Sequence, residues 1–267
     1  MEHIFKNLPI KSRKNILMLS DYSPSSTHEA IYLALRAKED RILSDELVKM
    51  LPDLPPSNTL YEEWQLRKDT ANRFCEFLKK KKKPLKILDL GCGNGWFSAK
   101  MAAIENVEVV GLDLNLPELE QAQKLFGHEN LQFVYGNIFE NLFENQSFDL
   151  VVINAAIQYF PSVSDLFQRL FEILKPQGEI HVLDSPFYEK NQIENAKKRT
   201  LTYYQSMGYA EMVEFYFHHT FEDLQPFSPI YDKPKFQLLN KILRKAKNPF
   251  VWVKVTKNES INQIIRS

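Results

Sequence analysis

The sequence predicts an α/β fold: a doubly wound, mostly parallel seven-stranded sheet of the Rossmann-like type, covered by helices on both faces. Short apolar runs alternate with amphipathic helical patterns between residues 84 and 184. Those runs are almost continuously apolar, which is typical of strands buried on both faces of a parallel sheet. A glycine-rich turn joins the first run to the next helix, as in βαβ units that bind a ligand there.

The predicted elements follow in order along the chain. Residues 1–60 form an N-terminal helical extension with one helix over 27–50, and a helix over 61–78 opens the main domain, residues 61–267. Apolar runs predict five strands and amphipathic patterns predict four helices. The strands are 85–90, 107–112, 131–135, 148–154 and 179–183, and the helices are 96–104, 117–126, 163–174 and 188–207.

Two more strands complete the predicted sheet, over 212–218 and 250–255. The segment between them, about 220–248, contains Pro226, Pro229 and Pro234 and is too long for a simple hairpin. We therefore expect a lid inserted between the last two strands.

Composition narrows the function classes. The 267 residues contain 34 Lys plus Arg and 34 Asp plus Glu, so overall charge gives no reason to expect a nucleic-acid partner. The lysine run 79–83 ends a predicted helix, where cations favour the negative end of the helix dipole; contact with an RNA backbone is the alternative. Neither cysteine has metal-ligand spacing, so no metal site is predicted.

The sequence also lacks the signs of a membrane protein. No uninterrupted apolar stretch approaches the about 18 residues that a membrane span needs. The first residues have no long apolar core of the kind found in secretory signals. We expect a cytoplasmic protein without membrane contact.

The strongest local signal is the turn after the first strand, which reads Asp89-Leu90-Gly91-Cys92-Gly93-Asn94-Gly95-Trp96. Glycines suit a sharp turn with positive φ, and they let backbone approach a ligand closely. A dinucleotide-binding turn requires glycine where Trp96 stands. Asp89 would repel a diphosphate but would favour an ammonium group. The turn thus argues against a nicotinamide-dependent oxidoreductase.

A second acid, Asp113, ends the next strand, eighteen residues beyond Gly95. At this place in a βαβ unit a carboxylate accepts hydrogen bonds from free ribose hydroxyls. An adenosine joined to an amino acid would offer ribose hydroxyls to Asp113 and an ammonium group to Asp89.

On these residues the chain resembles the class I S-adenosylmethionine-dependent methyltransferase superfamily. The resemblance covers residues 61–184. It implies S-adenosylmethionine as the cofactor, with the three glycines shaping the turn, Asp113 gripping the sugar and Leu114 beside it.

The resemblance implies further contacts with the cofactor. Asn137 follows the third strand where the family often has an acid that accepts from the adenine amino group, and Ile138 would cover the adenine ring. Asn154 falls where the family contacts the methionine end. Trp64 and Arg67 lie on the helix that folds over the cofactor, and Arg67 would pair with its carboxylate.

Methyl transfer needs alignment more than covalent help, although a hydroxyl acceptor needs a base. His218 and His219, at the end of a predicted strand, are the candidates for that base. The alternative is that both histidines only end the strand and face solvent. We expect a small-molecule acceptor, with oxygen favoured over nitrogen. RNA or protein methylation and a non-catalytic cofactor-binding protein are the other functions considered. The sequence leaves the acceptor and the oligomeric state open.

Overall fold

The computed structural model describes residues 4–6, 11–22, 27–232 and 248–258. Within these residues the chain forms one mixed sheet with helices on both faces, which confirms the predicted fold class. The predicted residues 233–247 of the lid lie outside the described part.

Nine strands make up the described sheet, in the order β1-β2-β5-β4-β3-β6-β7-β9-β8. Neighbours from β2 to β7 run parallel, while β1, β8 and β9 pair antiparallel. The strands are β1 (Lys11–Arg13), β2 (Ile16–Met18), β3 (Leu85–Leu90), β4 (Val107–Asp113), β5 (Leu131–Tyr135), β6 (Phe148–Asn154), β7 (Leu174–Leu183), β8 (Ile230–Asp232) and β9 (Trp252–Thr256).

Seven α-helices connect and cover these strands in the described part of the chain. They are α1 (Thr27–Lys38), α2 (Asp45–Met50), α3 (Tyr61–Lys80), α4 (Trp96–Ala102), α5 (Leu116–Phe126), α6 (Val163–Ile173) and α7 (Ile193–Met207). None of these helices is long and apolar enough to cross a membrane.

The core is split between the two faces of the sheet. Ile87 of β3 packs with apolar residues of α3, α4 and α5, whereas Leu88 packs on the opposite face with those of α6. Successive strand residues point to opposite faces, so an unbroken apolar run is what a doubly covered strand requires.

Three predicted elements differ in the structure. The helix over 27–50 is two helices, because Asp40 takes φ +54 and Ser44 caps α2 by accepting from Leu47 N–H. The seven-stranded count is wrong, since a hairpin of β1 and β2 extends one edge and β8 extends the other.

The strand over 212–218 is also wrong, because Ala210–Phe215 forms a 3₁₀ helix. Its backbone is satisfied locally, with Met212 N–H donating to the Tyr209 carbonyl. The alternating side chains pack with Leu35 and Tyr204 in a satellite cluster instead of facing a sheet.

The lysine run begins in the last turn of α3 and continues beyond it, and some of its members pair with carboxylates. Lys79 pairs with Glu76 at 2.8 Å, and Lys81 with Glu179 at 2.8 Å. The first pair lies within α3, whereas the second joins the end of α3 to β7.

Candidate active site

The glycine turn joins β3 to α4 and is tied to the neighbouring strand. Gly91 N–H donates to the Leu112 carbonyl at 2.9 Å. Gly91 has φ +76, and a Cβ there would lie 2.6 Å from the Cβ of Ala156, which follows β6. Only glycine therefore allows the turn and the loop after β6 to approach each other.

Asp113, at the end of β4, holds the turn from the other side. Its Oδ2 accepts from Gly93 N–H at 2.8 Å, and its Oδ1 accepts from Asn115 N–H at 2.8 Å. A backbone hydrogen bond from Leu114 also acts on this carboxylate, which keeps acceptor capacity for a ligand beyond these three. Burial raises the pKa of Asp113, opposed by these backbone hydrogen bonds.

Two adjoining cavities open at the carboxyl ends of β3, β4 and β6, and together we term them the cleft. The Asp113 lobe encloses about 200 Å³ and the Asp89 lobe about 120 Å³. Their shared wall consists of Tyr32, Arg36, Gly91, Gly93, Glu118 and Ala155. The cleft therefore lies where ligands bind in open parallel sheets.

The cleft brings together every predicted cofactor residue except Gly95. The Asp113 lobe contains Asp113, Leu114, Asn137 and Ile138, and the Asp89 lobe contains Trp64, Arg67, Asp89 and Asn154. Gly91 and Gly93 border both lobes.

Gly95 lies behind the turn instead of on the wall. It has φ +74, and a Cβ there would lie 2.6 Å from the ring of Phe133 and 2.8 Å from Ala122. Its place is in the packing between the turn, β5 and α5.

The far end of the Asp113 lobe combines apolar and polar surface. Leu114 is 46% exposed, in contrast to Ile138, which is 2% exposed. The side-chain oxygen of Asn137 accepts from Phe139 N–H at 3.1 Å and keeps one lone pair. A flat heterocycle with one amino group fits such a surface.

The Asp89 lobe contains two buried oxygen acceptors. Ser98 Oγ donates to Asp89 Oδ2 at 2.5 Å, and burial raises the pKa of Asp89 to about 7. The side-chain oxygen of Asn154 is buried and has no hydrogen-bond partner among the described residues. A ligand that donates N–H groups, such as an ammonium, would satisfy both.

Arg67 is already paired on this side of the cleft. Its Nε and Nη2 donate to Glu63 Oε1 at 3.1 and 2.7 Å, while Arg41 Nη2 donates to Glu63 Oε2 at 2.6 Å. Although burial raises it, these two arginines bring the pKa of Glu63 down to about 2. Any ligand carboxylate would share Arg67 with Glu63.

Four cleft residues carry no signal that singles them out in the sequence. Glu29, Tyr32 and Arg36 come from one face of α1, and Glu118 comes from the first turn of α5. Their spacing of three and four residues marks a helix face. No feature of the sequence says that this face meets the sheet.

Glu118 contributes a carboxyl group to both lobes of the cleft. Burial in the cleft, with the charge of Asp113 added, raises the pKa of Glu118 to about 7. Asn115 Nδ2 donates to its Oε2 at 3.2 Å. A Cβ on Gly93 would lie 3.2 Å from the same oxygen, so Glu118 closes directly onto the turn.

The two histidines proposed as bases are not brought to the cleft. His219 Nε2 donates to the Ile157 carbonyl at 3.1 Å, and His218 Nε2 bonds Thr200 Oγ1 at 2.8 Å. Both line a separate surface pocket beside Lys197 and Lys198. Burial lowers the pKa of both imidazoles, which keeps them neutral.

The comparison with known families agrees with this geometry. A model of a methyltransferase domain family matches residues 81–246, which is more than half of the chain. The chain belongs to this family. The resemblance to S-adenosylmethionine-dependent methyltransferases predicted from the sequence is thereby confirmed.

Curated methyltransferases share part of their length with the chain. A sterol 24-C-methyltransferase from Debaryomyces hansenii is 29% identical over 128 residues, 46% of this chain and 34% of that protein. A malonyl-[acyl-carrier protein] O-methyltransferase from Halalkalibacterium halodurans is 30% identical over 123 residues, 42% of this chain and 45% of that protein. The chain thus spans less than half the length of these relatives.

A solved methyltransferase shares the fold over most of the chain. The geranyl diphosphate C-methyltransferase from Streptomyces coelicolor superposes with a TM-score of 0.58 at 11% identity, covering 89% of this chain and 100% of that chain. At this identity the likeness concerns the architecture alone.

The residues present fit S-adenosylmethionine, the cofactor of this superfamily. Asp113 offers lone pairs to ribose hydroxyls, and Asn154 offers an unpartnered buried oxygen to an ammonium group. Gly91 borders both lobes at a place where a side chain would collide with Ala156. The bound cofactor would supply the methyl group on a sulfonium.

Proposed function

We propose that the protein transfers a methyl group from S-adenosylmethionine to a small-molecule acceptor. The observation that carries the proposal is the cleft itself, where Asp113 lines one lobe and Asp89 lines the other, with the glycine turn bordering both. One acid suits a ribose and the other suits an ammonium group, and the cofactor bears both, the ribose in its nucleoside part and the ammonium in its amino-acid part.

The same cleft explains how the protein would act without a covalent intermediate. An in-line displacement at a sulfonium needs the acceptor held behind the methyl group and water kept away. Residues 155–160 after β6 and helix α1 of the N-terminal extension enclose the cleft. We propose that the extension, residues 1–60, belongs to the acceptor side.

Oxygen is the acceptor atom that we favour. Similarity to a malonyl-[acyl-carrier protein] O-methyltransferase supports it, and the sequence of residues 154–160 lacks the Asn-Pro-Pro-Tyr pattern that holds planar nitrogens in related enzymes. Similarity to a sterol 24-C-methyltransferase makes carbon the competing acceptor atom.

Calorimetric titration of the purified chain tests the cofactor half of the proposal. S-adenosylmethionine and S-adenosylhomocysteine should both bind, with an affinity in the micromolar range. Absence of binding at millimolar ligand would remove the proposal.

Transfer is tested with the methyl-labelled cofactor and a fractionated small-molecule extract. A labelled product should form, and mass spectrometry identifies it. Alkali releases methanol from a methyl ester but leaves methyl ethers, N-methyl and C-methyl groups intact, and the mass spectrum of the product distinguishes these three. Label that stays on carbon or nitrogen would overturn the choice of oxygen.

A further inference from the structure

Arg36 of helix α1 places a guanidinium group on the wall shared by the two lobes of the cleft. Its side chain is only 24% exposed. Nη2 donates to the hydroxyl oxygen of Tyr159 at 3.2 Å, and the guanidinium carbon lies 4.9 Å from the ring centre of Tyr32. A cation so far removed from water requires an anion nearby.

The ion pair that Arg36 makes within the protein is loose. Although burial lowers it, Tyr32, Tyr159 and Glu118 bring the pKa of Arg36 above its ordinary value, so the charge is kept. The Glu39 carboxylate is 3.4 Å from Arg36 Nη1, and it also accepts from Tyr203 and lies 3.4 Å from Arg41. By contrast, Arg41 has the Glu63 carboxylate at 2.6 Å. Arg36 is therefore the cleft arginine best placed to receive an anion from a ligand.

Whereas Glu39 lines neither lobe, Glu118 is the carboxylate on the wall that Arg36 shares. Burial raises its pKa to about 7, so a substantial part of the population is uncharged at neutral pH. The charge of Arg36 lowers this pKa, but Glu118 directs its Oε2 toward Asn115. The guanidinium of Arg36 is therefore available to a ligand group that is fully ionised at neutral pH.

Two phenol groups extend the guanidinium into a larger set of donors. Tyr32 and Tyr159 line the Asp113 lobe beside Arg36, and their rings meet edge to face at 5.7 Å. The Tyr159 oxygen accepts from Arg36, so its own O–H is a donor. Burial raises the pKa of Tyr32 far above its ordinary value, which keeps that hydroxyl protonated.

Two further tyrosines pack behind Tyr159 and hold it in place. Tyr216 packs against Tyr159 at 6.2 Å between ring centres, and Tyr204, 5% exposed, packs behind it at 6.1 Å. Both belong to the satellite cluster that joins α1 to α7 and to the 3₁₀ helix Ala210–Phe215. Donors held rigidly bind an anion with little loss of conformational freedom.

The charge of the proposed cofactor favours the same ligand chemistry. A sulfonium in the cleft would be a second cation near Arg36, and an anion between two cations is stabilised by both. Carboxylates match the planar, forked guanidinium in shape.

We propose that the methyl acceptor is a carboxylate-bearing small molecule whose carboxylate is bound by Arg36 together with the hydroxyls of Tyr32 and Tyr159. The inference rests on the proposed methyl transfer and names its substrate class. Arg36 then selects acceptors, while Asp113 and the glycine turn hold the cofactor.

The test uses the full chain saturated with S-adenosylhomocysteine, titrated in a calorimeter with benzoate and octanoate and with their neutral amides. The carboxylates should bind at least about tenfold more tightly than the amides, since a charge-assisted contact is lost with the amide. Arg36→Met should abolish this preference while its affinity for S-adenosylhomocysteine stays within about twofold.

Two more variants make the result specific. Tyr159→Phe removes only the hydroxyl and should weaken benzoate about fivefold without loss of fold. Arg73→Met removes an arginine outside the cleft, paired with Asp232, and should keep the full preference. Circular dichroism and thermal unfolding check that each variant is folded.

The contrary outcomes are separable. Equal affinity for acid and amide, or no binding of either carboxylate at millimolar concentration, overturns the inference. So does a parallel loss of S-adenosylhomocysteine binding in Arg36→Met, which would assign Arg36 to the cofactor. Failure of the wild-type chain to bind S-adenosylhomocysteine instead overturns the proposed function.

Discussion

The carboxylate of Asp113 accepts a hydrogen bond from Gly93 N–H at 2.8 Å. The residue predicted to bind the ribose and the glycine turn are therefore one structural unit. The bond joins the end of β4 to the loop after β3. A change at Asp113 therefore alters both the ligand contact and the shape of the turn.

Replacing Asp113 by alanine should weaken S-adenosylmethionine binding by about 1.5 to 3 kcal/mol, because charged hydrogen bonds to the ribose are lost. Asp113→Asn should weaken it less, since one side-chain oxygen remains. Calorimetry on both variants measures the change. Asp53→Ala removes an exposed carboxylate paired with Lys68 and serves as the control. Wild-type affinity in Asp113→Ala would contradict the ribose assignment.

The pH dependence of cofactor binding should report the acids of the cleft. Burial raises the pKa of Asp89 and of Glu118 to about 7. A cationic ligand prefers the ionised forms, so affinity for S-adenosylmethionine should fall as pH drops through about 7 and level off above about 8. Calorimetry at a series of pH values measures this.

Glu118→Gln should flatten that profile, because one of the two titrating groups is gone. Glu76→Gln changes an exposed glutamate that pairs with Lys79 outside the cleft and should leave the profile unchanged. An identical pH dependence in the wild type and Glu118→Gln would show that Glu118 does not face the cofactor.

The central strands could be predicted because burial on both faces leaves a mark in the sequence. Residues 85–90 and 148–154 are almost wholly apolar, and β3 and β6 have those bounds. The outer elements leave no such mark. β1 and β2 have three residues each, and their hairpin depends on positive φ at Lys14 and Asn15. The aromatic alternation of 212–218 resembles a strand but serves a cluster around Tyr204.

The cofactor side of the site could be predicted for a related reason. Asp89 and Asp113 end parallel strands, and the carboxyl ends of parallel strands meet at one edge. The acceptor side depends on how α1 docks, which is a long-range contact. Arg36 and Tyr32 therefore stay hidden in the sequence, and His218 and His219 attract attention by residue type although the fold takes them elsewhere.

Gly91 and Gly95 should have different roles, the first in cofactor binding and the second in packing. Gly91→Ala should destabilise the protein by about 1 to 3 kcal/mol and also abolish tight cofactor binding, since φ is positive and the added Cβ meets Ala156 at the cleft. Gly95→Ala should destabilise at least as much, because its Cβ would strike Phe133, while the folded fraction still binds the cofactor.

Gly208 provides the matched control for backbone strain alone. It has φ +76, and a Cβ there meets only Lys38 Nζ at 3.7 Å. Gly208→Ala should therefore cost about 1 kcal/mol and leave binding intact. Urea unfolding and calorimetry measure the two effects, and normal cofactor affinity in Gly91→Ala would refute the role of this part of the turn in cofactor binding.

A buried histidine should make stability depend on pH, independently of the cleft. His181 of β7 is 0% exposed, and Trp252 Nε1 donates to its Nδ1 at 3.0 Å. That bond leaves the proton on Nε2, which faces Glu179 Oε2 at 3.3 Å. Burial lowers the pKa of His181, so the folded protein holds the neutral ring.

The sign follows from proton linkage. The unfolded chain protonates this histidine as pH falls below about 6.5, whereas the folded chain resists, so the contribution of His181 to the free energy of unfolding decreases on acidification below that pH. The contribution of His181 to stability is fully present above about pH 6.5 and is lost as the pH falls toward the lower pKa of the folded protein. Asp89 and Glu118, whose pKa values burial raises to about 7, contribute in the opposite direction, so the effect of His181 is read from the difference between the wild type and a His181 variant. Although burial raises it, His181 and Lys81 bring the pKa of Glu179 down to about 2, outside this window.

His181→Asn tests the origin of that slope, because an amide oxygen can replace Nδ1 as acceptor from Trp252 but cannot titrate. The variant should lose about 1 to 3 kcal/mol at neutral pH from packing against Phe74 and Phe77, and this loss relative to the wild type should shrink as the pH falls from about 7 to about 5. His128→Asn, at an exposed position bonded to Asn130, should keep the wild-type profile. Urea unfolding at several pH values decides the matter, since an unchanged slope in His181→Asn would place the titrating group elsewhere.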